Sequence, residues 1–345
     1  MSDVVIDIEG CAGVITLNRP QALNALTYEM CLEIDAALRE WRDDPEIALV
    51  IVEGEGERAF CAGGDIAEMY RSGKAGDYDY GRRFWHDEYR MNALFGDYPK
   101  PIVSWLHGFV MGGGVGVGCH GSHRLVTESS QIAMPECGIG LIPDVGGSYL
   151  LSKAPGHLGE YLGLTGARMG PADAILAGFA DRFVPADRWQ ILRDSLVDSG
   201  DVDVIDEVAE DPPEGRYQAV LPQIDSAFSK GDLSAIATAL EIDGSDFAMA
   251  ALAAMMRNAP LSMAATLELL NEVRGGDGLR DALAMEYRFT YRAMEEADFL
   301  EGIRAQIIDK DRDPHWRHAG EDVPEEEVDA MLAPLGEAEL TFEEE

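Results

Sequence analysis

Residues 112–114 are three consecutive glycines, and an earlier pair, Gly63-Gly64, closes the stretch Ala59-Phe60-Cys61-Ala62-Gly63-Gly64-Asp65-Ile66. Each stretch follows an apolar run that reads as a buried strand, 48–52 before the first and 101–106 before the second. A chain punctuated this way must let backbone approach backbone closely, because only glycine leaves that space open. The second stretch is expected to open a helix, whose first N–H groups lack an intrahelical acceptor and lie at the positive end of the dipole. Taken singly, the first stretch reads equally well as a tight turn alone, and the second as a close helix–strand contact alone. N–H groups from two separate loops converging on one point would make an oxyanion hole.

A second feature carries chemistry. Residues 134–147 place two acids, Glu136 and Asp144, eight positions apart on an apolar loop, with Pro135 and Pro143 limiting its backbone freedom. Lone acids are ordinarily solvated surface groups. If both enter one pocket, burial and mutual repulsion raise one pKa, so that one acts as base or nucleophile and the other orients water or a substrate hydroxyl.

Other motifs carry less. Gly116-Val117-Gly118-Cys119-His120-Gly121 matches G-x-G-x-x-G, but falls after the turn glycines and inside the expected helix, so no dinucleotide site is expected. Cys137 has no histidine placed by sequence to activate it. The spaced pairs His120/His123 and His315/His318 lack a third zinc-type ligand nearby, and no metal site is expected.

The 345 residues carry 27 Lys plus Arg against 64 Asp plus Glu, a net charge of −37. That disfavours nucleic acid as a partner and requires local cations for any anionic ligand. Five scattered cysteines without a C-x-x-C argue against a disulfide framework and fit a reducing compartment, for which we expect the cytoplasm. The start of the chain reads as an acidic, alternating first strand, not a targeting peptide, and no apolar run has transmembrane length.

Strand patterns at 4–8, 13–17, 48–52, 101–106, 125–127 and 131–134 alternate with helical patterns after Thr27, at 78–95, 149–164 and 171–177, which argues an α/β class. The expected organisation is an α/β core over 1–197, an acidic linker at 198–231, a helical region at 232–318 and an acidic, partly disordered tail at 319–345.

At these residues the chain resembles the crotonase (enoyl-CoA hydratase/isomerase) superfamily, and within it the 3-hydroxyisobutyryl-CoA hydrolase branch. Asn18-Arg19-Pro20, Leu23-Asn24-Ala25-Leu26 and 60–66 match the superfamily; 112–116, 135–136 and 144–147 match the branch, and the resemblance resumes at 284–288 and 298–311. It implies a superhelix of ββα turns with a helical C-terminal region. It implies an acyl-CoA substrate, CoA entering only as part of it, and no separate cofactor. It places the oxyanion-hole amides at Gly64 and Gly113, the catalytic acids at Glu136 and Asp144, and a substrate-contacting glutamate at Glu88. Hydratases carry a catalytic glutamate two residues after the triple glycine, where this chain has Gly116, and typically glycine where it has Asp144. The implied activity is therefore thioester hydrolysis, with 3-hydroxyisobutyryl-CoA of valine breakdown as substrate. An enoyl-CoA hydratase/isomerase and a non-catalytic CoA-binding protein stand as the other readings. Superfamily members often self-associate, so a homo-oligomer is a further expectation. Arg19, Lys100 and Arg124 are candidates to meet CoA phosphates.

Overall fold

The computed structural model describes residues 2–320 and 322–342. The chain forms two compact units, each assembled from separate stretches: Met1–Gly64, Asp87–Ala133 and Arg168–Arg216 in the first, and Asp65–His86, Met134–Ala167 and Tyr217–Glu345 in the second.

Among the described residues, the first unit holds nine strands: β1 Val4–Glu9, β2 Ala12–Leu17, β3 Leu49–Gly54, β4 Ala59–Cys61, β5 Ile102–Leu106, β6 Phe109–Met111, β7 His123–Val126, β8 Gln131–Ala133 and β9 Arg182–Phe183. They build a six-stranded sheet in the order β1-β2-β3-β5-β7-β9 and a three-stranded sheet β4-β6-β8. Among the described strands β1 and β2 pair antiparallel, and the other strand-to-strand ladders are parallel. From β3 onward, successive strands go alternately to the large and the small sheet, which is the spiral of ββα turns. The composition follows from this. Strands with neighbours on both sides and layers on both faces read as continuous apolar runs. All five residues of β5 are buried, as are Leu49 to Val52 of β3. Val14, Ile51, Val103 and Leu125 share a core with Leu192 and Leu196 of the helix Trp189–Ser199, and Trp105 stacks on Trp189 with ring centroids 4.3 Å apart.

The helix Tyr28–Trp41 begins where the sequence places it, because the Thr27 side chain accepts a hydrogen bond from the Met30 N–H and its apolar face buries Met30, Ile34, Leu38 and Trp41. Just before it, Asn24 is wholly buried and stitches three backbone segments together. Its Oδ1 accepts from the Arg19 N–H at 2.9 Å, and its Nδ2 donates to the carbonyls of Glu55 and Ala59 at 3.0 and 2.9 Å. Asn24→Ala leaves these groups without partners in a dry interior. It is expected to lower the unfolding free energy by about 1–3 kcal/mol, read from urea denaturation.

The second unit is mostly helical. Helices Leu233–Asp243, Asp246–Met255, Pro260–Arg274 and Leu279–Glu296 occupy the stretch read as helical, two of them capped by Asp232 and Ser245. Tyr161 of the helix Leu158–Thr165 packs against Tyr217, Phe228 and Phe247 at 5.3–5.5 Å.

Several segments differ from the sequence reading. The stretch 198–231, read as a linker, contains helices Val204–Val208 and Tyr217–Phe228, the second burying Tyr217, Ile224 and Phe228 despite Pro222 inside it. Its acidic residues hid an apolar stripe. The tail, read as partly disordered, carries the helix Glu325–Leu332, which buries Val328, Met331 and Leu332, while Arg288 holds Glu339 at 2.6 Å. Residues 321 and 343–345 of that tail lie outside the described residues. The single helical pattern at 149–164 is two helices, Gly147–Lys153 and Leu158–Thr165, broken at Pro155-Gly156.

Candidate active site

In the first unit, topology brings the two glycine stretches together. β4 and β6 are parallel neighbours, with Cys61 opposite Val110, so the chain leaves both strands at the same end. Gly63 and Gly64 follow β4, braced by Leu26, whose N–H donates to the Gly63 carbonyl at 2.9 Å, and by Ala62, whose N–H donates to the Leu23 carbonyl at 3.0 Å. Gly112 follows β6, and Gly113 opens the helix Gly113–Gly118, where its N–H has no intrahelical acceptor. A Cβ on Gly113 would stand 3.3 Å from the Gly64 N and 3.1 Å from Glu88 Oε1. Glu88, on the helix Asp79–Gly96, is 3 % exposed. Gly64, Gly113 and Glu88 therefore form one cluster. The next residue is under a harder constraint. A Cβ on Gly114 would lie 2.2 Å from the Cys61 carbonyl oxygen, a distance that no flexible side chain can relieve.

In the second unit the acids gather. Glu136 opens a 3-10 turn, Glu136–Ile139, behind Pro135. The loop closes through the Leu141 N–H to the Glu136 carbonyl at 3.1 Å, and is pinned by the Ala259 N–H to the Cys137 carbonyl at 2.8 Å. The Glu136 side chain is 5 % exposed, and its Oε2 is buried without a hydrogen-bond partner. Burial pushes its carboxyl well above the usual range, and the charges of Asp144 and Glu286 push it further the same way. Asp144 is 4 % exposed and begins a tight turn, its carbonyl accepting from the Gly147 N–H at 2.7 Å. In that turn Val145 takes φ +53° and Gly146 φ +79°. A β-branched residue in the left-handed region is rare and strained.

A third acid joins them from a segment that matches the family, although no motif in its sequence points to a role. Glu286 is wholly buried on the helix Leu279–Glu296. Its Oε2 accepts from the Gly146 N–H at 2.8 Å; its Oε1 accepts from the Ser148 N–H at 3.0 Å and from the Ser148 hydroxyl. Burial pushes its pKa up to about 8, against the pull of these hydrogen bonds. The readable signal was a carboxylate on the buried stripe of an amphipathic helix, flanked at helical spacing by Ala282, Leu283, Phe289 and Thr290.

Three other residues are placed by this geometry. Arg124 is locked bidentately on Asp181 at 2.6 and 2.9 Å, and Lys100 donates to the carbonyls of Trp41 and Asp44 at 2.5 Å. Arg19 donates to the Ala25 carbonyl at 2.6 Å and pairs with Asp3 at 3.3 Å. All three candidates for CoA phosphate thus hold the fold together, because a cation beside buried or turn carbonyls satisfies acceptors that water does not reach. Cys137 is buried beside Thr266, and burial pushes its thiol up to about 12, which suits a structural residue.

Each set of parts suits carbonyl chemistry: in the first unit, backbone donors at a helix start, and in the second, acids whose carboxyls are pushed above the ordinary range by burial and, after it, by the neighbouring charges. The family model described as enoyl-CoA hydratase/isomerase matches residues 12–332. The chain belongs to this family. A relative within it, the mitochondrial 3-hydroxyisobutyryl-CoA hydrolase of Gallus gallus, is 39 % identical over 98 % of this chain and 91 % of its own length. Among solved structures, an enoyl-CoA hydratase from Rhodobacter sphaeroides 2.4.1 superposes with a TM-score of 0.95 at 56 % identity, covering 99 % of this chain and all of that one. A carnitinyl-CoA dehydratase from Mycobacterium thermoresistibile gives a TM-score of 0.96 at 42 % identity, with both chains covered completely. The spiral of ββα turns with a helical C-terminal region is thus the crotonase fold of the enoyl-CoA hydratase/isomerase family. The relatives' names divide between hydrolysis and hydration, so the choice rests on which acids this family member carries.

Proposed function

We propose that this protein hydrolyses a short 3-hydroxyacyl-CoA thioester, with 3-hydroxyisobutyryl-CoA, an intermediate of valine breakdown, as its substrate. The observation that carries the reading is the buried acid pair, Glu136 with an unpartnered oxygen and Asp144 on a strained turn. The amides of Gly64 and Gly113 donate to the thioester oxygen and stabilise the negative charge that grows there in the tetrahedral intermediate. Glu136 acts on the thioester carbon, directly or by taking a proton from water. Asp144 orients water or the 3-hydroxyl and assists proton transfer to the leaving thiolate. Glu88 contacts the substrate. Water adds across the C–S bond, releasing the 3-hydroxy acid and free CoA. The chemistry invokes no metal and no cofactor beyond the CoA that arrives with the substrate. The acidic surface opposes nucleic acid as a partner, and five free cysteines support a reducing compartment, which we take to be the cytoplasm.

The second reading is hydration of an enoyl-CoA, favoured by the name of the Rhodobacter structure. Against it stands Gly116, at the position where the hydratase pattern carries its other catalytic acid. Incubation with 3-hydroxyisobutyryl-CoA and a thiol reagent separates the two. Free thiol should appear, with crotonyl-CoA hydrated little or not at all; robust hydration without thiol release would overturn the hydrolase reading. 3-Hydroxypropionyl-CoA lacks one methyl group, and its kcat/KM should fall within about 10–200-fold of the preferred substrate's, read from the same assay.

A further inference from the structure

We propose that Glu286 is a positioning residue for catalysis, holding the strained turn that carries Asp144 in its working geometry. The proposal rests on the hydrolase reading above and adds to it a residue that does not itself touch substrate.

The helix Gly147–Lys153 begins without a local side-chain cap, since Gly146 at its start has none to offer. Its first N–H groups need acceptors. A serine or aspartate at the cap position would supply one locally. Here the acceptor comes instead from a carboxyl group 138–140 positions away in sequence, which takes the N–H groups of Gly146 and Ser148 on its two separate oxygens and the Ser148 hydroxyl as well. Burying a carboxyl group completely is costly, and an amphipathic helix gains nothing from one on its apolar stripe. What the group accomplishes is geometric. Bridging the N–H groups of residues 146 and 148 fixes the peptide planes between Val145 and Gly146 and between Gly147 and Ser148, while the Gly147 N–H donates to the Asp144 carbonyl and holds the plane after Asp144; together they oppose relaxation of Val145 from φ +53°. The direction of the Asp144 side chain depends on those planes, and misplacement of a catalytic group by about 1 Å can cost about 100-fold in rate.

The test compares the full-length wild type with Glu286→Gln, Glu286→Ala and Ser148→Ala, each assayed well below its own melting temperature. Glutamine keeps one acceptor but turns an N–H₂ toward a donor. The expected kcat for 3-hydroxyisobutyryl-CoA falls about 10–100-fold in both Glu286 variants. Glutamine should retain more activity than alanine, Ser148→Ala should lose least, and KM should stay nearly constant throughout. Amide hydrogen exchange should accelerate at Gly146 and Ser148 while the rest of Leu279–Glu296 keeps its protection. An unchanged kcat in Glu286→Ala, or exchange that rises uniformly along the helix, would overturn the proposal. If the wild type releases no CoA from any thioester, the hydrolase reading fails. The local exchange then decides by itself whether Glu286 holds the turn.

Discussion

Glu136→Gln is expected to lower kcat for thioester hydrolysis by about 10²–10⁴-fold while leaving KM within a small factor of wild type. The substitution keeps the shape and volume of the side chain and removes its ability to attack or to take a proton, so binding survives and the chemical step does not. Stopped-flow or steady-state release of free CoA reads the change. The same variant carries a second signature. Burial and the neighbouring acids raise the Glu136 carboxyl in the folded protein. Glu286 is raised likewise, from 4.5 to about 8. Above the ordinary carboxylate range the unfolded chain has released these protons while the folded one still holds them. Stability therefore falls as pH rises through that window. A neutral amide at position 136 removes its part of that loss. Glu136→Gln should melt above the wild type at pH 8 and show no such gain at pH 5, by thermal denaturation. A variant that melts higher and turns over almost nothing is the mark of a site strained for function. Equal turnover in Glu136→Gln would remove its proposed role. The raised carboxyl also predicts that the acid limb of the wild-type kcat/KM profile lies above the ordinary carboxylate range, because Glu136 must lose its proton to act.

Gly113→Ala is the complementary experiment on the donor side. The added methyl would stand 3.3 Å from the Gly64 nitrogen and 3.1 Å from Glu88 Oε1, in the space where the reading places the thioester oxygen. Alanine keeps the backbone N–H, but a methyl in that space keeps the thioester oxygen from reaching it; a fall in kcat like that of a lost oxyanion donor, about 10²–10³-fold, is expected. The fold should tolerate the change, because one crowded neighbour is the end of a glutamate side chain that can give by a few tenths of an ångström. Gly114→Ala should behave differently. Its methyl meets the Cys61 carbonyl at 2.2 Å, and relieving that clash means displacing β4 itself, at a cost of about 1–3 kcal/mol in stability. Loss of activity with folding intact at 113, and loss of folding stability at 114, together separate a binding role from a packing role. The same loss of stability at both positions would count against the oxyanion reading.

Much of the architecture is written locally. Thr27 followed by apolar residues at helical spacing is enough to place the helix Tyr28–Trp41, and the unbroken apolar runs of β3 and β5 announce strands covered on both faces. The short strands β4 and β6 escape such a reading, because three residues beside glycines leave too little pattern to count. The helix Tyr217–Phe228 escapes it for another reason: acidic neighbours and Pro222 mask a buried stripe of Tyr217, Ile224 and Phe228 that only packing makes visible.

The residues at the candidate site divide in the same way. Glycines that admit backbone contact, and acids held on a proline-flanked loop, are properties of residue type and order, so Gly64, Gly113, Glu136 and Asp144 stood out in the chain alone. What the chain alone withheld was adjacency. Gly64 meets Gly113 because β4 and β6 become parallel neighbours, and Glu286 reaches the turn after Asp144 because a helix far along the sequence lays its buried face there. Strand order and helix docking are settled by which apolar surfaces exclude water together, a property of the whole folded chain that no short window of sequence contains.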